Sequence, residues 1–286
     1  MPFNIQSLED YYSPRTVKEA CSLLLSNQDF IPIAGGSAIY IFSAKGLLQD
    51  VRGFVSLNSI PLNGIHGSDA YVELGATVTH QELLESRLQL PGVLREALLT
   101  IPKEVRSVGT VGGQLCTCFP NFDLNVALLA LDAEVMVTGS DHVRSEGIEK
   151  FFKGVLEPDL RRGEIVTGIR FPKKRDLLSG YSKAALTAHG FSLISVGVAL
   201  KVSGGFFEDV RVAVGGTLNT SPVRLKGVEG ALRGRAVTHQ TISEAAELAL
   251  RDGALNVSTD FKTSSEYKRH LASVLIRRTI LRVVGL

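Results

Sequence analysis

The 286-residue chain has no tryptophan, two methionines, three cysteines and only 7% aromatic residues. So little ring surface argues against a stacking platform for single-stranded nucleic acid. Charge of one sign is also lacking. Thirty-one Lys and Arg stand against 29 Asp and Glu, for a formal net charge of +2, and the longest basic block is the short Lys173-Lys174-Arg175. That is no nucleic-acid footprint. No run of about 18 apolar residues occurs, so no membrane span is expected. The opening Met1-Pro2-Phe3-Asn4-Ile5-Gln6 lacks the charged-then-apolar pattern of a secretory leader. Without a leader, the odd set Cys21, Cys116 and Cys118 is expected to stay reduced in a cytoplasmic protein. Cys116-Thr117-Cys118 is too short for C-x-x-C spacing and the six histidines form no ligand array, so no zinc or iron–sulfur site is read. Neither G-x-G-x-x-G nor G-x-x-x-x-G-K-S/T occurs, which argues against Rossmann and P-loop sites.

What is present is an ordinary globular composition, 44% hydrophobic and 21% charged, in a chain long enough for two or three cores. Thr16-Val-Lys-Glu19 is a capping box opening a helix, followed by a strand over Phe30–Ile33 and a helix from Ser37, which would cap it, to about Ala44. These form a small β-α subdomain over residues 1–53. From Phe54 a second pattern begins. Gly53–Leu57, Tyr71–Leu74, Ala133–Thr138 and Glu164–Phe171 read as strands. Helices read after the box Thr79-His-Gln-Glu82, over Val93–Leu99 and over Asp123–Leu131. Strands and helices do not alternate regularly, which predicts an α+β fold. Pro172–Gly180 reads as a boundary, closing a larger subdomain over 54–175. Beyond it lie strands over Ser192–Val202 and Val210–Gly215, and helices over Ile242–Arg251 and Ser264–Val284, the last opened by Thr263-Ser-Ser-Glu266. Residues 181–286 form a C-terminal domain.

Two glycine doublets carry the chemistry. One sits in Ile31-Pro32-Ile33-Ala34-Gly35-Gly36-Ser37-Ala38-Ile39, the other in Val108-Gly109-Thr110-Val111-Gly112-Gly113-Gln114, with Asp123 ten residues beyond. Adjacent glycines permit positive φ and aim successive N–H groups at one point, and a helix N-terminus adds a favourable field. Two such loops suggest a pyrophosphate gripped from both sides. Each doublet also reads as a tight turn, and Asp123 also reads as a helix N-terminal carboxylate. His80 and His189 read as surface or cap-region histidines rather than bases, and Cys116 and Cys118 as small fillers.

The stretch from Arg106 through Val108-Gly109-Thr110-Val111-Gly112-Gly113-Gln114 to Pro120-Asn-Phe-Asp123 resembles the flavin segment of molybdenum hydroxylases. Ala34-Gly35-Gly36-Ser37, Glu164-Ile165-Val166, Gly180-Tyr-Ser-Lys183, Val214–Arg224 and Ser264–Arg269 are similar to further family segments in the same order. The resemblance is to the FAD-binding medium subunit of the xanthine dehydrogenase and carbon monoxide dehydrogenase type. It implies a two-part FAD-binding domain of the PCMH or vanillyl-alcohol-oxidase type, then a C-terminal α+β domain with an antiparallel sheet plus helices.

By that resemblance, Pro32, Ile33, Ala34, Gly35, Gly36, Ser37, Ala38 and Ile39 would wrap the FAD diphosphate. Thr110, Val111, Gly112, Gly113 and Gln114 would oppose them. Asp123 would accept a hydrogen bond from the cofactor, Ile165 or Val166 would pack beside the flavin, Lys183 would lie near it, and Thr100 occupies a further contact position. The implied role is electron transfer from 2Fe–2S clusters of a small subunit, serving a large molybdenum-cofactor subunit, to NAD+ or another acceptor. Three features depart from the family pattern: Gln114 replaces Asn, Ser37-Ala38 lacks a carboxylate, and Leu186-Thr-Ala-His-Gly190 lacks the usual Arg and Asp. They bear on the acceptor more than on flavin binding. The alternatives are a non-catalytic flavin or nucleotide module that docks to a partner, and a stand-alone FAD oxidoreductase.

Overall fold

The computed structural model describes residues 8–286; the leader reading at Met1–Gln6 falls outside them. The first unit runs β1 (Asp10–Tyr12), α1 (Val17–Ser26), β2 (Phe30–Ile33), α2 (Ser37–Ala44) and β3 (Gly53–Ser56). The capping box at Thr16 forms as read, with Thr16 Oγ1 accepting from Glu19 N–H and the Glu19 carboxylate accepting from Thr16 N–H, both at 3.2 Å. β3 is the central strand, parallel to β1 and β2. Parallel strands need a crossover, and α2 supplies the one from β2 to β3. The strand read as opening the second subdomain is therefore the middle of the first sheet. Its Val55 packs with Ala20, Cys21 and Leu24.

The second unit comprises β4 (Ile65–Gly67), β5 (Tyr71–Gly75), α3 (His80–Glu85), α4 (Gly92–Leu99), α5 (Lys103–Arg106), α6 (Val111–Cys116), α7 (Asp123–Ala130), β6 (Glu134–Thr138), β7 (Val143–Gly147), α8 (Ile148–Phe151), β8 (Phe152–Gly154), β9 (Glu157–Pro158) and β10 (Ile165–Pro172). Five strands make an antiparallel sheet ordered β4-β5-β10-β6-β7, and β8 and β9 form a small hairpin. The third unit is an antiparallel sheet of β11 (Leu178–Ala185), β12 (Ser192–Ser203), β13 (Phe206–Gly216) and β14 (Val223–Arg224), covered by α9 (Lys226–Leu232), α10 (His239–Glu247) and α11 (Ser265–Val284). β11 begins inside the stretch read as a boundary. α11 starts one residue later than its box predicted: Ser264, not Thr263, is the cap, accepting from Tyr267 N–H at 3.2 Å. The fold is α+β. No helix among the described residues is long and apolar enough to cross a membrane.

α7 joins the second and third units. It is apolar on all sides after its first turn, and every one of its residues is buried, as an all-round apolar helix must be. It lies between α4 and the strands β12 and β13. Glycine makes that approach possible: a Cβ on Gly215 would sit 2.4 Å from Val126 Cγ2 and 2.6 Å from the Pro120 carbonyl oxygen. Asp123, at the start of α7, is thereby fixed at the seam between the units.

Candidate functional site

β2 ends at Ile33, and Ala34-Gly35-Gly36 turns the chain into α2. Gly36, not Ser37, is the helix cap. It adopts φ +69° and contributes no side-chain hydrogen bond. The first intrahelical bond is Tyr40 N–H to the Gly36 carbonyl at 3.1 Å, so the N–H groups of Ser37, Ala38 and Ile39 leave the helix end without an intrahelical acceptor. Pro32 sits on the edge strand, where its missing N–H breaks no ladder. Gly35 is in direct contact with the other loop. A Cβ there would lie 1.6 Å from the Val108 carbonyl oxygen and 3.3 Å from Gly109 Cα. Two segments more than 70 residues apart in sequence therefore meet backbone to backbone.

The second loop differs from its reading. Thr110 Oγ1 accepts from Gly113 N–H at 3.1 Å. Val111 N–H goes to the Val78 carbonyl, Gly112 N–H to that of Ala76 and Gln114 N–H to that of Thr110, each at 2.9 Å. Four N–H groups expected to face a phosphate are thus taken by the protein, those of Val111 and Gly112 by the segment between β5 and α3 and those of Gly113 and Gln114 within the helical turn that the loop opens. Gly112 is required for packing, since a Cβ would come within 2.7 Å of the Ala76 Cβ. The loop keeps the half-buried Gln114 amide and the Thr110 hydroxyl as polar groups. Behind Gly109 lies His80, which is 1% exposed and so no surface residue. Burial pushes its imidazole down to about 4, with the Arg106 charge adding to the shift. The ring is neutral and fills space. His189 is exposed on the β11–β12 connection.

Three of the residues singled out in the sequence come together at Asp123. Its Oδ2 accepts from Lys183 Nζ at 3.0 Å and lies 2.9 Å from the Thr100 hydroxyl, whose single proton is shared with the Ala97 carbonyl at 2.7 Å. The Lys183 and Asp123 side chains are only 10% and 8% exposed. Oδ1 accepts from the Tyr181 hydroxyl. Burial, and then the Asp123 charge, holds the Tyr181 phenol well above its usual range, so it stays protonated and donates. The sequence shows Tyr181 within Gly180-Tyr-Ser-Lys183 but gives it no role, because the strand that aims it at Asp123 is not legible there. Ile165 and Val166 sit elsewhere. Ile165 packs into the core of the first unit and Val166 into that of the second, and both residues are buried, so neither side chain is free to pack on a flavin as read.

An aromatic wall stands beside Asp123. Phe119 and Phe122 precede α7 with ring centroids 5.4 Å apart, Phe42 of α2 lies 6.1 Å from Phe119, and Phe191 lies 5.9 Å from Phe122. It links the first glycine loop's helix to the third unit, and nothing in the local sequence pattern pairs these rings. Cys116 and Cys118 are unpaired. Burial pushes the Cys116 thiol up to about 12 and that of Cys118 higher still. Neither forms the reactive thiolate near neutral pH. Cys21 is buried and its thiol raised too, so iodoacetamide at pH 8 is expected to leave all three cysteines unmodified in the folded chain and to add three adducts after denaturation, as read by intact mass.

Comparison with known proteins decides the class. Residues 3–174 match the FAD binding domain in molybdopterin dehydrogenase, and residues 179–283 match the CO dehydrogenase flavoprotein C-terminal domain. The chain belongs to this FAD-binding medium-subunit family. It is 29% identical over 278 residues to the glyceraldehyde dehydrogenase medium chain of Sulfolobus acidocaldarius, covering 96% of this chain and 97% of that one. It is 30% identical over 277 residues to the nicotine 6-hydroxylase medium subunit of Paenarthrobacter nicotinovorans, covering 95% of each. The corresponding chain of reconstituted CO dehydrogenase from Oligotropha carboxidovorans superposes with a TM-score of 0.91 at 25% identity, covering 97% of this chain and 98% of that one. FAD is the cofactor of the family's N-terminal domain. The residues fit such a ligand: the N–H groups at the start of α2 suit a diphosphate, and the side-chain-free Gly35 lets the two loops close on one point.

Proposed function

We propose that this chain is the flavin-carrying electron-transfer subunit of a molybdenum hydroxylase or dehydrogenase. Its partners would be a large molybdenum-cofactor subunit that oxidises the substrate and a small subunit whose 2Fe–2S clusters deliver electrons. Its electrons would leave, in the cytoplasm, to NAD+ or another acceptor. The observation that carries this reading is the contact of Gly35 with the Val108 carbonyl beside the start of α2, where no side chain bonds the first N–H groups. Relatives named as medium chains and subunits of dehydrogenases and a hydroxylase support it.

Bound FAD supplies a centre that takes single electrons and releases one or two. The chain's own residues bind and orient. The N–H groups of Ser37, Ala38 and Ile39, with the Ser37 hydroxyl, hold the diphosphate, and the helix field adds to its neutralisation. Gln114 and Thr110 offer an amide and a hydroxyl from the opposing loop. Asp123 accepts a hydrogen bond from a cofactor hydroxyl, and the Lys183 ammonium, paired with the carboxylate, offsets its negative charge beside the ligand. No side chain needs to abstract a proton.

The test is the visible spectrum of the purified chain after incubation with FAD, followed by extraction and identification of the retained ligand. Flavin absorption with FAD recovered near one per chain is the expected result. A colourless protein, both alone and when co-expressed with its partner subunits, would overturn the reading.

A further inference from the structure

Asp123 is gripped unevenly. Oδ2 faces two donors, Lys183 Nζ at 3.0 Å and the Thr100 hydroxyl at 2.9 Å, whereas Oδ1 has the Tyr181 hydroxyl alone. Each carboxylate oxygen accepts two hydrogen bonds. The acceptor position left for a ligand is therefore on Oδ1, beside the tyrosine.

Tyr181 is itself held on both sides of its backbone. Its N–H donates to Glu96 Oε2 at 2.7 Å, and its carbonyl accepts from Arg282 Nη2 at 2.9 Å. Arg282 closes the figure by forking onto both Glu96 oxygens, each at 2.8 Å. Burial works against the Glu96 charge, but the Arg282 and Tyr181 hydrogen bonds outweigh it and keep its carboxyl below the usual range. A bidentate pair between α4 and α11 thus clamps one residue of β11, and that residue's ring reaches back to α7. Bidentate Arg–carboxylate geometry fixes direction as well as adding energy.

We propose that Tyr181 is a positioning residue of the cofactor site: it sets the rotation of the Asp123 carboxylate so that Oδ1 presents its remaining lone pair to a hydroxyl of FAD. The Glu96–Arg282 pair holds the tyrosine in turn. The inference rests on the reading of Asp123 as a cofactor contact. It also makes the C-terminal domain part of the site, because Tyr181 and Lys183 both lie on β11.

A double-mutant cycle tests this on the full-length chain, or on the assembly if FAD is retained only there. FAD dissociation constants are read by flavin fluorescence for wild type, Tyr181→Phe, Asp123→Asn and the double variant, with thermal midpoints of the ligand-free proteins in parallel. Tyr181→Phe removes one charge-assisted hydrogen bond and is expected to weaken FAD about tenfold. The double variant is expected to bind no more weakly than Asp123→Asn alone, because the tyrosine acts through that carboxylate. If Tyr181→Phe does not fold, Glu96→Gln, which keeps the ring and loosens its clamp, is expected to weaken FAD about threefold. Effects of Tyr181→Phe and Asp123→Asn that multiply, or a lowered midpoint with unchanged FAD affinity, would overturn the inference while leaving the cofactor reading intact. A wild-type chain that binds no FAD overturns both.

Discussion

Replacing Gly35 with alanine is expected to abolish FAD retention. The added methyl would sit 1.6 Å from the Val108 carbonyl oxygen and 2.6 Å from its carbon. Both atoms are backbone, so no side-chain rotation relieves the clash and the loops must part. Overpacking typically costs about 1–3 kcal/mol even where side chains give way, and a backbone clash lies at or beyond the upper end. At about 1.4 kcal/mol per tenfold, the expected loss of affinity is about a hundredfold or more, read by fluorescence titration. Gly36→Ala should be milder, because its cost is the left-handed backbone at φ +69°, about 1–2 kcal/mol. Gly147→Ala is the control. No atom lies within 4 Å of its Cβ, its φ of −61° suits any residue, and FAD binding should not change.

The second large effect falls on stability. Asp123→Ala leaves the Lys183 ammonium, 10% exposed, without its counter-charge, and deprives the buried Tyr181 hydroxyl of its acceptor. Removing one member of a buried pair costs about 3–5 kcal/mol, because the remaining charge keeps its desolvation penalty. A fall in thermal midpoint of about 10 °C is expected for a domain of this size, with FAD binding lost as well. Replacing the pair together, Asp123→Leu with Lys183→Met, should recover the part of the stability lost to the unpaired charge, since a well-packed apolar pair substitutes for a buried ion pair at little cost, while the Tyr181 hydroxyl still lacks its acceptor. It should not recover FAD. A double variant that regains FAD binding would show that the carboxylate is not a cofactor contact.

The sequence made local features readable and left non-local ones hidden. The capping boxes at Thr16 and Thr79 form as read because the hydroxyl and the glutamate lie within one helical turn. The box at Thr263 slipped by one residue because Ser264 offers an equivalent hydroxyl next door. β11 escaped notice because Leu178–Ala185 reads Leu-Ser-Gly-Tyr-Ser-Lys-Ala-Ala, with no apolar–polar alternation and few β-formers, and follows Pro172-Lys-Lys-Arg175, which reads as a linker. The second glycine loop was misread in its donors. Two of its N–H groups, those of Val111 and Gly112, are taken by Val78 and Ala76, residues on a distant segment that no local pattern connects to Gly112. The meeting of Gly35 with Val108, the aromatic wall around Phe119 and the Tyr181–Asp123 bond are products of tertiary packing. Only the family resemblance brought Thr100, Asp123 and Lys183 into one argument, since 83 residues separate the first from the last.

The most direct test of electron transfer is anaerobic reduction of the assembled complex, followed at the flavin absorption band while oxidisable substrate is added. The account predicts that the band bleaches in the complete assembly, and that it stays unbleached when the cluster-bearing subunit is omitted although FAD is still bound. A flavin that remains oxidised in the complete, substrate-turning assembly would contradict it, and would make this chain a flavin-binding module without a redox role.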